Sequence, residues 1–63
     1  MTVTLPRQIR AVERELALRR RVYPDWVTRG RMSETQMQRG IADMEAVLDT
    51  LRALAPKQEG LDL

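Results

Sequence analysis

The sequence contains no cysteine and no histidine among its 63 residues, and its only aromatic residues are one tyrosine and one tryptophan. Without cysteine and histidine, the chain has no thiolate nucleophile, no imidazole base and no thiol or imidazole ligand for zinc. It also lacks a glycine-rich phosphate loop, and Ser33 is better explained as a helix cap than as a nucleophile. We therefore expect no catalytic residues, no metal site, no cofactor and no small-molecule substrate: the chain is predicted not to be an enzyme.

Long apolar runs are also missing, so no segment is expected to span a membrane. Pro6 and Arg7 interrupt the N-terminus where a signal peptide would have its apolar core. Together with the absence of cysteine, these features predict a cytoplasmic protein without a membrane partner. A chain of this length buries only about 60% of the surface that its unfolded form exposes. Since neither a disulfide nor a metal can stabilise so small a core, we expect a homo-oligomer or a complex with another protein.

The first half of the sequence predicts an amphipathic helix over residues 5–22. Thr4 is placed to cap its N-terminus, and a proline is tolerated in the first turn. Apolar residues recur at helical spacing and form a seam, namely Leu5, Ile9, Val12, Leu16 and Tyr23. Pro24 is expected to end or kink this helix, although residues 24–29 could form one further turn. Gly30 is then typical of a helix C-cap.

The second half predicts a helix over residues 34–55. Ser33 and Gln36 have the spacing of a capping box, which marks the start of this helix. A coiled-coil-like apolar stripe follows, formed by Met37, Ile41, Met44, Leu48, Leu51 and Ala55. Three residues widen the stripe beyond what one facing helix covers, namely Gly40, Val47 and Leu54. Because glycine destabilises a helix, we expect its backbone to approach one of the aromatic residues closely.

Charge is distributed unevenly along the chain. Residues 1–31 hold eight basic and three acidic residues, whereas residues 32–63 hold three basic and six acidic residues. Opposite charges favour two helices that lie side by side. The chain is therefore predicted to be all-α, an antiparallel helical hairpin with a connection over 23–33 and a flexible tail over 56–63. The wide stripe of the second helix predicts that two hairpins form a homodimeric four-helix bundle.

Four arginines lie opposite the seam of the first helix and form an arginine ridge, namely Arg7, Arg10, Arg14 and Arg21. Such a line of positive charge is typical of nucleic-acid-binding proteins. The alternative is a solvated charged surface, because several arginines have an acidic residue four positions away. These predicted ion pairs are Glu15 with Arg19, Asp25 with Arg29, and Arg39 with Asp43.

A minor apolar strip runs beside the arginine ridge, formed by Ala11, Leu18 and Val22. A lone hairpin would leave this strip exposed, so it could be a second contact surface. Tyr23 and Trp26 are favoured as a plug at the open end of the hairpin, and aromatic residues there could also anchor a partner. The candidate partner-binding residues of the helical region are therefore Leu18, Val22, Tyr23 and Trp26.

Three stretches carry a resemblance to known proteins: Val22-Tyr23-Pro24-Asp25-Trp26-Val27, Gly30-Arg31-Met32-Ser33 and Ile41-Ala42-Asp43-Met44-Glu45-Ala46-Val47-Leu48. Over roughly residues 9–52 the chain resembles a group of short proteins encoded by tailed bacteriophages and prophages. The resemblance implies a phage or prophage protein in the cytoplasm of a bacterial host, with a non-catalytic accessory or regulatory role.

The end of the chain, Gln58-Glu59-Gly60-Leu61-Asp62-Leu63, is similar to the bacterial sliding-clamp-binding peptide. That peptide has glutamine first and leucine-like residues at its fourth and sixth positions, which enter a hydrophobic pocket of the clamp. The resemblance implies that Gln58, Leu61 and Leu63 contact the clamp. We therefore expect a module that binds a host or phage protein. The alternative is a basic nucleic-acid-binding module that uses the arginine ridge.

Overall fold

The computed structural model describes residues 2–55 and shows two α-helices, α1 (Leu5–Thr28) and α2 (Glu34–Leu54). This part of the chain has no strand, so the all-α prediction is confirmed. Glu13 in α1 pairs with Arg52 in α2, whereas Arg20, further along α1, pairs with the earlier residue Glu45. The two helices therefore run in opposite directions and form an antiparallel hairpin. The predicted tail over 56–63 lies outside the described residues.

α1 begins where the sequence predicts and ends later. The Thr4 hydroxyl accepts a hydrogen bond from the Arg7 amide at 3.4 Å, and Pro6 lies in the first turn. The predicted end at residue 22 is wrong, because the helix continues through Pro24 to Thr28. The connection between the helices is accordingly 29–33 instead of 23–33.

Packing around Pro24 explains why α1 continues. Proline has no amide hydrogen, so the carbonyl of Arg20 loses its helical partner. Both residues are exposed, and water can take the place of that partner. Tyr23 and Trp26 stack with their ring centroids 5.5 Å apart, and helical backbone across the proline makes these residues, three positions apart, neighbours on one side of α1. The Thr28 hydroxyl also donates to the Pro24 carbonyl at 3.1 Å.

Gly30 terminates α1 in a Schellman motif, with a φ of 75°. Its amide donates to the Val27 carbonyl at 3.0 Å, and the Arg31 amide donates to the Trp26 carbonyl at 2.9 Å. A left-handed conformation of this kind favours glycine. The predicted capping role of Gly30 is confirmed, and this glycine, not Pro24, marks the end of the helix.

α2 begins with the predicted capping box. The Ser33 hydroxyl accepts from the Gln36 amide at 3.0 Å, and the Gln36 side chain accepts from the Ser33 amide at 2.9 Å. The two hydrogen bonds satisfy backbone donors that the helix itself cannot. The helix ends at Leu54, and Ala55, predicted as its last residue, is the C-cap.

The core between the helices is small. Within residues 2–55 only Leu16 and Leu48 are buried, with exposed fractions of 4% and 6%. The other residues of the α1 seam and the α2 stripe are half-buried. A single layer of two helices therefore shields each apolar surface on one side only.

Candidate functional site

Tyr23 packs against α2 at Gly40, the only glycine of that helix. A Cβ atom built on Gly40 would lie 2.9 Å from Tyr23 Cε2, closer than carbon atoms pack. Arg19 lies over the same ring, with its Cζ 5.6 Å from the ring centroid, and Nη1 donates to the Gly40 carbonyl at 2.8 Å. The predicted close approach at Gly40 is confirmed, and Tyr23 is the aromatic residue that makes it.

Arg19 joins the two helices through fixed hydrogen bonds. Its Nε donates to Glu15 Oε2 at 2.8 Å, and this hydrogen bond raises the pKa of Arg19 above its ordinary value. An arginine guanidinium is charged at every ordinary pH. Arg19 acts as a positioning group for Gly40 and Tyr23, not as an acid or base.

The four helical residues predicted to bind a partner, namely Leu18, Val22, Tyr23 and Trp26, lie together in the structure. They line one concavity of about 320 Å³ on α1, together with Glu15 and Arg19. Leu18 and Trp26 are 44% and 37% exposed, so the concavity is open to solvent. A mostly apolar depression of this kind can accept an apolar side chain from another protein.

α2 extends this surface with Val47 and Leu54, which are 40% and 68% exposed. Gly40 contacts Tyr23 and Arg19, which line the concavity, and so marks the side of α2 next to it. Val47 and Leu54 follow at intervals of two helical turns and therefore lie along that same side. We call the combined surface the apolar face. It consists of Ala11, Leu18, Val22, Trp26, Val47 and Leu54.

The combined surface was not predictable from the sequence. The minor strip of α1 and the wide stripe of α2 are separate features there, and Val47 and Leu54 are not among the predicted binding residues. The helical rotation of about 100° per residue places each set on a flank of its own helix. Only the packing of Tyr23 on Gly40 decides that the two flanks meet on one side of the hairpin.

The opposite side of the hairpin is polar. Arg20 pairs with Glu45 at 2.6 Å, and Arg52 pairs with Glu13 at 2.8 Å, so two ion pairs cross between the helices. Arg19 and Arg20 are consecutive and about 100° apart, which places them on either side of the α1 seam. Exposed ion pairs contribute little stability. They show, however, that charged side chains cover this side of the hairpin and remain exposed to water.

The arginine ridge lies on the back of α1, away from α2. All four of its arginines are exposed, and within residues 2–55 none pairs with an acidic residue. Two of the predicted pairs form, namely Arg19 with Glu15 and Arg29 with Asp25. The third is absent: Arg39 and Asp43 do not pair, and both are exposed, where such a pair gains little.

Comparisons with known proteins bear on neither surface. The chain matches no protein-family model, no curated protein and no solved structure. In residues 2–55 no three acidic side chains gather as they would around a metal ion. Over the same residues, neither helix combines the length and the apolar character needed to cross a bilayer. The predicted clamp contacts Gln58, Leu61 and Leu63 lie outside the described residues.

The hairpin therefore presents two surfaces with different chemistry. The apolar face can bury carbon surface against another polypeptide, with Trp26 as its aromatic residue, which stacks on Tyr23. The arginine ridge can contact phosphate groups or acidic side chains.

Proposed function

We propose that this chain is a non-enzymatic protein-binding module that engages its partner through the apolar face. The observation that supports this proposal is the contrast between the two sides of the hairpin. Leu18, Val47 and Leu54 are 44%, 40% and 68% exposed on one side, whereas ion pairs cross the other side. Exposed apolar side chains gathered on one side of a small protein are typical of an interaction surface, and tryptophan is enriched at interface hot spots.

The partner can take two forms. A second copy of the chain would give the homodimeric four-helix bundle that the sequence predicts. A host or phage protein would suit the accessory or regulatory role implied by the resemblance to phage proteins. In that case Gln58, Leu61 and Leu63 could add a contact to the sliding clamp, and two linked contacts would strengthen each other through effective concentration.

Leu18→Glu tests the role of the apolar face, because it places a carboxylate where apolar surface would be buried. We expect it to weaken partner binding more than about tenfold. Ala17→Glu is the matched control, since Ala17 is exposed on the same helix outside the apolar face. Far-UV circular dichroism should show the same helix content for both variants.

The binding measurements use the tagged full chain in a bacterial lysate and purified sliding clamp as separate targets. Leu18→Glu should lose the captured partner, whereas Ala17→Glu should retain it. Deleting residues 58–63 should abolish clamp binding and leave the partner of the apolar face bound. If Leu18→Glu binds every target, and itself, as tightly as the parent chain does, the proposal is wrong.

Nucleic-acid binding through the arginine ridge is a second candidate function. It is favoured by one observation: the four ridge arginines are exposed along a 24-residue helix and have no acidic partner within residues 2–55. With up to four phosphate contacts, log K for a DNA duplex should fall with log salt at a slope of about −3 to −4.

The salt dependence of duplex binding separates this candidate from the first. The double variant Arg10→Glu with Arg14→Glu should weaken binding and flatten the slope, whereas Val47→Glu, on the apolar face of α2 and away from the ridge, should change neither. If the parent chain shows no binding to the duplex at about 50 mM salt, where such contacts are strong, nucleic-acid binding is excluded as the function of the ridge.

A further inference from the structure

We propose that a second copy of the chain covers the apolar face, with α1 of each protomer lying on α2 of its partner. The twofold axis runs parallel to the helices and passes between the two apolar faces. The inference rests on the proposed function and specifies both the partner and its orientation.

The ion pairs within the hairpin define the register. Glu13 lies beside Arg52, and Arg20 lies beside Glu45, so residues whose numbers add up to 65 share the same height along the hairpin. A twofold axis parallel to the helices keeps every residue at its height. The same rule therefore gives the residues of α1 that lie opposite α2 of the second protomer.

Two pairs of apolar side chains match in this register. Ala11 lies opposite Leu54 of the partner subunit, and Leu18 lies opposite Val47 of the partner subunit. Leu54 is the most exposed large apolar side chain in the described part of the chain, at 68%, and it meets the smallest side chain of the α1 strip. Pairing a large residue with a small one allows two helical surfaces to approach closely without collision.

Charged side chains at the outer edge of the proposed dimer interface also lie near residues of opposite charge. The same register places Val22 opposite Asp43 of the partner subunit and Trp26 opposite Arg39 of the partner subunit. The neighbours of these two apolar residues, Arg21 and Asp25, lie within about one residue of the same height, close enough for their charged ends to approach Asp43 and Arg39 of the partner subunit. In residues 2–55 of a single hairpin, Arg21, Arg39 and Asp43 have no ion pair. In the proposed dimer, each of these three residues has a residue of opposite charge nearby, which favours this orientation.

The alternative twofold arrangement places α1 on α1 of the partner. α1 holds six arginines and three acidic residues, whereas α2 holds four acidic residues and two arginines. Stacking α1 on itself brings like charges together, whereas stacking α1 on α2 brings opposite charges together. Charge thus selects between two arrangements that would bury similar apolar surface.

Introduced cysteines test the orientation, because the chain has none of its own. A disulfide forms only where the two Cα atoms come within about 7 Å. Under mild oxidation, a mixture of Leu18→Cys and Val47→Cys chains should form a covalent dimer at least tenfold faster than either variant alone. Ala17→Cys mixed with Val47→Cys is the control and should not cross-link. Cross-linking of Leu18→Cys alone would indicate α1 on α1 and overturn the proposed orientation.

Sedimentation equilibrium tests the second copy itself. The parent chain should dimerise, and Leu18→Glu should raise the dimer Kd more than about tenfold, whereas Ala17→Glu should not. Arg21→Asp should raise the Kd by about threefold, and adding Asp43→Arg to the same chain should restore it. A chain that stays monomeric at every concentration overturns this inference. If the parent chain is monomeric but Leu18→Glu loses a partner that the parent chain captures, the proposed function stands and only the dimer is wrong. If Leu18→Glu also keeps that partner, the proposed function is wrong as well.

Discussion

Gly40→Ala is the substitution for which the hairpin gives the sharpest expectation. In an exposed helix, alanine is more stable than glycine by about 1 kcal/mol. Here the new Cβ would lie 2.9 Å from Tyr23 Cε2, so the ring has to move. Overpacking of this kind costs about 1–3 kcal/mol. The balance of the two effects should lower the free energy of unfolding by about 1 kcal/mol, although alanine is the better helix former.

The Tyr23 ring is not free to move away without loss. It stacks on Trp26 at 5.5 Å between centroids, and Arg19 lies over it while donating to the Gly40 carbonyl at 2.8 Å. In a Tyr23→Ala background the ring is gone, and Gly40→Ala should instead stabilise the chain by about 1 kcal/mol. The sign of the effect therefore reverses, with a coupling energy of about 2 kcal/mol between the two positions.

Urea unfolding followed by far-UV circular dichroism, at one fixed protein concentration, measures the four chains of this cycle. Gln38→Gly is the control, because Gln38 is exposed on α2 and should cost about 1 kcal/mol in both backgrounds. If Gly40→Ala stabilises the parent and the Tyr23→Ala chain equally, then the ring does not occupy the space above the glycine, and the reasoning fails.

Three further predictions concern the ends and the interior of α1 and α2, and the same urea unfolding measures them. Pro24→Ala should raise the free energy of unfolding by about 1–3 kcal/mol, because it restores an amide donor within a continuous helix; a decrease would mean that a separate turn begins there. Gly30→Ala should lower it by about 1–2 kcal/mol, because φ is 75° at that residue, and an unchanged value would contradict the left-handed cap. Ser33→Ala should lower it by about 1 kcal/mol, because the Gln36 amide loses its acceptor, whereas Thr35→Ala, at an exposed position in the first turn, should change little.

Local features of the fold were predictable from the sequence. The cap at Thr4, the capping box at Ser33 and the left-handed cap at Gly30 all depend on residues within one turn of the helix end. Their chemistry is complete in a short segment, so a short segment suffices to predict them. The apolar seams were predictable for a related reason, since a period of 3.6 residues places them on one side of a helix.

The end of α1 was not predictable from local preference. Proline disfavours a helical residue before it, and this rule predicted an end at residue 22. The actual helix continues to Thr28 because Tyr23 packs on Gly40 and Trp26 stacks on Tyr23. Gly40 is distant in sequence, so the contact that outweighs the preference of Pro24 is visible only when both helices are in place.

The amino-acid sequence alone determined that two amphipathic helices form, where α2 begins, which side of each helix is apolar, and which arginines form a ridge. Periodicity and capping are properties of single segments, and they carry this information without any partner. Only the tertiary structure decided that α1 continues past its proline and that the flanks of both helices combine into one apolar face. The reason is that contacts of Tyr23 and Arg19 in α1 with Gly40 in α2 fix how the two helices are rotated against each other. That rotation depends on residues far apart in the sequence, so neither helix determines it alone.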